Sequence, residues 1–320
     1  MIVYREVSTL AADLGIPAKT LYGVSNRLSR HYRQVSIPKQ RGGVRVLTVP
    51  DEVLKHIQRR IVQVLLVHMP VSPHATAYRY GGSVVRNAAP HTGKRFVLKL
   101  DILHFFDSVL YSAVKEAAFP ATIFSEPVRI LLTMLCYYKD ALPQGAPSSP
   151  AIANLVLREF DDAVGAWCAG RGIAYTRYCD DLTFSSQQSL DGATEFVKQE
   201  LRKRGFFLRR EKTHLLRDSQ RQTVTGLVVN HGVRLPADRR RALRQTLYFC
   251  RKFGVESHLA HLGSDKSPEE YLRELMGRTA FWMQAEPNFR EAVEAHRWIK
   301  GELERRTRER RMLPTEAENR

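Results

Sequence analysis

The tetrapeptide Tyr178-Cys179-Asp180-Asp181 constrains this chain more than any other feature, because it sets two adjacent carboxylates between two strand-like runs. Gly172 to Tyr178 and Leu182 to Ser186 are short, rich in Thr, Tyr, Ile and Phe, and separated only by Cys-Asp-Asp, the spacing of a tight hairpin. A third carboxylate, Asp101, ends the nearly continuous apolar run Arg95-Phe-Val-Leu-Lys-Leu-Asp101, which runs on into Ile102-Leu-His-Phe-Phe106. A charge at the end of a buried strand costs on the order of several kcal/mol unless it is paired or bound to metal. Each element alone also suits a plain structural role, an Asp-Asp turn and a strand-end Asp that caps the next helix. Together they read as a metal site.

Magnesium takes hard oxygen ligands, and enzymes that join nucleotides hold two such ions about 3.5 to 4 Å apart, one at the primer hydroxyl and one at the triphosphate. Asp101, Asp180 and Asp181 are the candidate ligands. Leu142-Pro-Gln-Gly-Ala-Pro-Ser-Ser-Pro150 is a second block. There Gly145, between Pro143 and Pro147, lets the backbone approach a base pair closely, and Gln144 offers an amide beside an incoming nucleotide. Ser148 or Ser149 can cap an apolar helix that begins near Pro150 and runs through Asn154, Leu155, Leu157 and Phe160. A proline-rich loop before a helix is the plainer reading of the same residues.

Tyr178-Cys-Asp-Asp181 resembles the YxDD signature of reverse transcriptases, Asp101 with Phe106 is similar to the family's first palm motif, and Pro143-Gln-Gly145 is similar to its PQG motif. The blocks occur in the family's order. Two shorter elements resemble those that mark bacterial retron reverse transcriptases: Asn87-Ala-Ala-Pro-His91 is similar to NAxxH, ahead of the Asp101 strand, and Val224-Thr225-Gly226 to VTG, after the hairpin. Read locally, Asn87 and His91 also suit a helix cap and a satisfied histidine, and Val224 to Gly226 a strand ending in a turn.

The resemblance implies an α+β right-hand polymerase with an antiparallel palm sheet covered by helices. It implies N-terminal helices and fingers over residues 1–95, a palm over 96–235 with a finger-like helical insertion at about 113–142, and a basic helical thumb over 236–320. The run Val35 to Pro50, with Gly42-Gly43 between two strand-like stretches, is a hairpin. It matches the family's fingers, where Lys39, Arg41 and above all Arg45 would face the incoming triphosphate; a solvated basic hairpin is the alternative. The first thirty residues, with Leu10, Leu14, Leu21 and Leu28, read as short amphipathic helices, and Val53, Leu54, Ile57, Ile61, Val62 and Leu65 place another helix behind the cap Asp51.

The resemblance also implies individual roles. Phe106, five positions after Asp101, would lie under the sugar of the incoming nucleotide and exclude a 2′-hydroxyl. Lys212 would be the family's palm lysine, a proton donor to leaving pyrophosphate, although a salt bridge or plain solvation suits it equally. Asn87, His91, Val224, Thr225 and Gly226 would serve the RNA and primer, with Thr223 to Asn230 a strand holding the primer end.

Composition agrees with an acidic polymer as partner: 50 Lys and Arg against 33 Asp and Glu leave a formal charge of +17, the footprint of a protein that follows a phosphate backbone. Basic residues crowd the last third, at Arg239, Arg240, Arg241, Arg244, Arg251, Lys252 and Arg305 to Arg311, with Trp282 and Trp298 between them as core or as stacking residues. No apolar run reaches the roughly 18 residues of a membrane span, and the N-terminus lacks a signal-peptide stretch, so a cytoplasmic protein is expected. Cys136, Cys168, Cys179 and Cys250 have neither CxxC pairing nor regular spacing, which indicates neither a zinc site nor a disulfide framework. No nuclease block is apparent, so template removal would need another protein.

The expected function is RNA-directed DNA polymerisation with two Mg2+ ions, dNTPs, and a cognate structured noncoding RNA as template and primer. Synthesis from an internal guanosine 2′-hydroxyl would give branched multicopy single-stranded DNA, in antiphage defence with a separately encoded effector protein. The alternatives are another bacterial reverse transcriptase lineage, group II intron-like or defensive, and an RNA-DNA scaffold that restrains a partner.

Overall fold

Leucines at helical spacing organise the start of the chain. In the computed structural model, which describes residues 3–38 and 42–312, α1 (Val7–Leu14) and α2 (Ala18–Ser25) bury Leu10, Leu14 and Leu21, and α3 (Leu28–His31) leads into a hairpin. That hairpin pairs β1 (Tyr32–Pro38) with β2 (Val44–Pro50), antiparallel, from Tyr32 opposite Pro50 to Pro38 opposite Val44. Lys39 and Arg41 lie outside the described residues. Asp51 caps α4 (Glu52–Val64), accepting from Leu54 N at 2.9 Å and from the His31 ring at 2.8 Å. Leu54, Ile57 and Ile61 form the buried stripe of that helix, while Val53 stays exposed.

The chain divides into two compact units, Met1–Arg217 and Asp218–Arg320. The first is built on a four-stranded antiparallel sheet of β3 (Phe96–Asp101), β4 (Ala174–Tyr178), β5 (Asp181–Ser186) and β6 (His214–Arg217), in the order β4-β5-β3-β6. Register sets Asp101 directly opposite Asp181 and Tyr178 opposite Asp181 on the other side. Between β3 and β4 come α5's neighbours in sequence: α5 itself (Val84–Ala88) precedes β3, and α6 (Tyr111–Ala118), α7 (Glu126–Cys136), α8 (Ser149–Val156) and α9 (Arg158–Ala169) follow it. α10 (Ala193–Arg202) lies between β5 and β6. One continuous core runs from Tyr4 through Leu132, Phe160 and Phe184 to Phe206. Apolar burial on both faces of the sheet is the dominant favourable contribution to this unit.

Two local expectations change. The helix expected from Pro150 through Phe160 is broken at Leu157 into α8 and α9, and neither serine caps it. Ser148 stands at the N-cap position in helical rather than extended backbone, and the Ser149 hydroxyl is spent on Pro143 O at 2.9 Å. The run Thr223 to Asn230 is not one strand. It is a small hairpin of β7 (Thr223–Val224) and β8 (Leu227–Val228), turned by Thr225 and Gly226, whose φ values of 45° and 81° are left-handed. Gly makes such a turn easily and the right-handed twist of paired strands favours it.

The second unit continues as α11 (Ala237–Phe253), α12 (Val255–His261), α13 (Pro268–Ala285) and α14 (Arg290–Met312). A capping box of Ser267 and Glu270, with Pro268 in the first turn, starts α13. Trp282 is fully buried with Leu272 and Leu275, which makes it core; Trp298 is partly buried under the Arg251 guanidinium, 5.1 Å from its ring centre. No helix among the described residues is long and apolar enough to cross a membrane.

Candidate active site

Between β4 and β5 only Cys179 and Asp180 remain unpaired, so Tyr178-Cys-Asp-Asp181 is a two-residue hairpin turn, with Cys179 at φ 61°. Ile102 N donates to Asp180 O at 3.0 Å and ties the turn to the end of β3. The segment after α10 runs back past the same end: Leu103 N donates to Phe207 O and Arg209 N to Asp101 O, both at 2.8 Å. Backbone pairing from three directions therefore fixes the three aspartates at one end of the sheet.

An open cleft of about 510 Å³ lies over this end. Its wall collects Arg45, Phe106, Gln144, Asp180, Asp181 and Lys212, together with Tyr78, Asp107 and Arg209. Six residues singled out in the sequence, from positions 45 to 212, thus share one cavity. Arg45 is exposed on β2; Phe106 is half-buried with its ring 5.3 Å from that of Phe105; Gln144 donates to the Asp107 carboxylate at 3.2 Å.

Asp101 is only 2% exposed, and the structure answers the question of its charge. Lys212 Nζ lies 2.5 Å from Oδ2 and Arg209 Nε 3.2 Å from Oδ1. Oδ1 is buried and makes no hydrogen bond, the Arg209 approach being an ion-pair distance without hydrogen-bond alignment. Asp181 stands exposed at the turn, yet crowding by surrounding protein, then the Asp180 carboxylate, push its pKa up, with Lys99 opposing and Asp101 adding. Burial, with the Asp180 charge behind it, pushes the Cys179 thiol up to about 12, so this sulfur stays protonated.

Among the described residues no group of three or more His, Cys, Asp or Glu side chains is arranged to hold a metal ion by itself. The donor set nonetheless fits hard divalent cations: carboxylate oxygens only, one of them buried without a hydrogen bond, in an open cleft where substrate phosphates can complete the shell.

Three expectations need correction. Asn87 and His91 have no solvent exposure and cannot touch RNA. The His91 ring bridges Ser185 Oγ of β5 at 2.7 Å and Thr176 Oγ1 of β4 at 2.8 Å, and Asn87 Oδ1 accepts from Thr76 Oγ1 at 2.6 Å. They brace the strands that carry the turn. Val224 is likewise completely buried, leaving Thr225 half-buried and Gly226 exposed at the β7–β8 turn. Gly145 makes its close approach to protein: a Cβ there would stand 2.9 Å from Thr48 O and 3.1 Å from Val49 Cγ2 of β2, at φ 142°.

Sequence reasoning missed Arg209, Asp107 and Tyr78 on the cleft wall, for which no pattern gave a signal. It also missed the buried cluster of Asn154, Asp161 and Arg177. Here a signal existed, since Asp161 falls in the apolar stripe Leu157, Val164, Gly165, Cys168 of the α9 region and Arg177 interrupts an apolar strand.

The family model that matches residues 37–231 is described as reverse transcriptase (RNA-dependent DNA polymerase), and the chain belongs to that family. Among curated relatives, it is 36% identical over 285 residues to the retron Mx65 reverse transcriptase of Myxococcus xanthus, covering 81% of this chain and 66% of that protein. It is 31% identical over 267 residues to the retron Ec86 reverse transcriptase of Escherichia coli, covering 81% of this chain and 82% of the relative. The retron Mx162 reverse transcriptase of Myxococcus xanthus matches at 32% identity over 292 residues, 80% of this chain and 58% of that protein. The chain, which spans 66%, 82% and 58% of the length of these three relatives, is thus of the retron type within that family, and its class is the α+β right-hand polymerase.

Proposed function

We propose that this chain copies a cognate structured noncoding RNA into branched multicopy single-stranded DNA, starting from an internal guanosine 2′-hydroxyl of that RNA. The observation that carries the reading is the single cleft that gathers Asp180, Asp181, Phe106, Gln144, Arg45 and Lys212 over the buried Asp101. In it Asp101 and Asp180 would hold two Mg2+ ions, with Asp181 supporting the site. When bound, the ions lower the pKa of the attacking hydroxyl and neutralise charge gathering on the phosphate oxygens.

The chain's own residues do the rest. Arg45 and Lys39 bind the triphosphate, Gln144 seats the nucleotide, Gly145 lets β2 pack closely behind it, and Phe106 fills the space a ribose 2′-hydroxyl would need. Lys212, salt-bridged to Asp101, gives a proton to departing pyrophosphate in this reading once metal binding at Asp101 releases it. The β7–β8 turn, with Thr225 and Gly226 accessible, meets the primer strand, and Asn87, His91 and Val224 act behind these surfaces by packing. In domain terms residues 1–95 supply fingers, 96–235 the palm with its helical insertion, and 236–320 a basic thumb. The setting is the cytoplasm, the wider role antiphage defence, and the partner a separately encoded effector protein.

The test is to express the chain with its flanking noncoding DNA, as wild type and as Asp180→Ala and Asp181→Ala. A short branched DNA sensitive to RNase should be made by the wild type alone. If wild type copies a generic primed RNA but no branched product forms, the branched-product reading is wrong.

A further inference from the structure

Arg177 ends the buried part of β4, one residue before the turn tetrapeptide, with no solvent exposure. Its Nε lies 2.9 and 3.0 Å from the two Asp161 carboxylate oxygens, and Nη2 donates to Asp161 Oδ2 at 2.6 Å. The remaining nitrogen, Nη1, forks: it donates to Asn154 Oδ1 and to the Cys179 carbonyl, each at 3.1 Å. Asn154 in turn donates to Ala77 O at 2.8 Å, next to the cleft residue Tyr78, and Tyr175 OH donates to Asp161 at 2.8 Å. Burial opposes the Arg177 charge, but Asp161 more than compensates and its pKa is raised.

A fully buried ion pair is a poor source of net stability, because desolvation consumes most of the attraction. What this one supplies is direction. Cys179 holds φ 61° without being glycine, a conformation that costs about 1 to 3 kcal/mol and persists only where the surroundings impose it. The hydrogen bond from Arg177 to the Cys179 carbonyl is such an imposition, and the same peptide unit carries Asp180.

We propose that Asn154, Asp161 and Arg177 are positioning residues: Asp161 and Asn154 aim the guanidinium, the guanidinium grips the Cys179 carbonyl, and the strained turn so held places the Asp180 and Asp181 carboxylates. This rests on the polymerase reading of the cleft and adds residues to it that touch no substrate.

Arg177→Lys would leave Asp161 buried and underpaired, and unfolding would obscure the result. The variant of choice is Asn154→Leu, of similar size, which removes one of the two acceptors that aim Nη1 and keeps the ion pair. Three readouts apply: turnover per active site from burst amplitude, melting temperature, and the labelling rate of the Cys179 thiol without metal, with the buried Cys136, Cys168 and Cys250 as internal references. Asn154→Leu should lower turnover per site by about tenfold or more with the dNTP KM within about twofold, the signature of misplaced reacting groups, and should speed Cys179 labelling. Adding Cys179→Gly, which adopts the left-handed φ without strain, should recover part of the lost turnover. A fall in melting temperature alone, with turnover and labelling as in wild type, would overturn the proposal, and so would loss of turnover that glycine does not recover. If wild type itself fails to polymerise, the functional reading fails, while thiol labelling still decides whether the clamp holds the turn.

Discussion

Phe106 lines the cleft half-buried, together with Gln144, Asp180 and Asp181, and in the proposed function the space it fills selects the sugar. Phe106→Ala should therefore raise ribonucleotide incorporation by at least about tenfold relative to deoxynucleotide, in line with roughly 1 to 3 kcal/mol of steric discrimination; single-nucleotide incorporation assays with the two triphosphates measure it. Unchanged selectivity would remove Phe106 from the nucleotide site. At this scale the sequence was legible where chemistry is rare: three carboxylates in apolar or turn settings, a Gln between Pro and Gly, a lysine near the end of the palm. It was not legible for Arg209, because one arginine in a basic chain is indistinguishable from the rest until the backbone of Asp101 pairs with it. His91 shows the converse. The resemblance implied contact with RNA, whereas two hydroxyls on adjacent strands hold it in the interior, the satisfied histidine of the local reading.

Elements depend on such interior contacts for their mutual placement. Burial, with Lys94 nearby, lowers the His91 pKa from 6.5 to about 3. The unfolded chain therefore binds the proton more readily across that window, so the stability contributed by the neutral ring is fully present above about pH 6.5 and is lost as pH falls towards 3. The slope is at most about 1.4 kcal/mol per pH unit. Melting temperatures of His91→Gln should fall less steeply between pH 6.5 and pH 4 than those of wild type; equal slopes would assign the acid sensitivity elsewhere. Gly145→Ala tests a second junction. Its Cβ would press on Thr48 O and Val49 of β2 at a φ of 142°, so a loss of about 1 to 3 kcal/mol is expected, seen as a lower denaturant midpoint together with a raised dNTP KM. The hairpins at 32–50 and 174–186 and the helix after Asp51 were readable because period, turn residues and cap agree. The break at Leu157 and the hairpin at 223–228 were not, since apolar runs of that length pair or bend according to what packs on them.

For the whole molecule the formal charge of +17 predicts binding dominated by phosphate contacts. Affinity for a primed RNA-DNA duplex should fall by at least about a hundredfold between roughly 50 and 200 mM monovalent salt, with a linear log–log slope; a flat dependence in filter binding or anisotropy would argue for a largely apolar interface. Charge and the periodicity of the strands are properties of the chain alone and gave the hairpins and an acidic polymer as partner, while the class and the reaction came from the resemblance of its motifs, in their order, to those of reverse transcriptases. Hairpins and charge are legible in this way because hairpin spacing, strand alternation and a net charge are local or additive quantities. Only the tertiary structure decided that Asp101 is paired by Lys212 and Arg209, that Asn87 and His91 brace rather than bind, and that Gly145 makes room for β2. It likewise decided that Arg177, held by Asp161 and Asn154, donates to the Cys179 carbonyl of the hairpin turn. Those contacts join residues many positions apart, and a buried polar group takes whichever partner the packing leaves within hydrogen-bond reach.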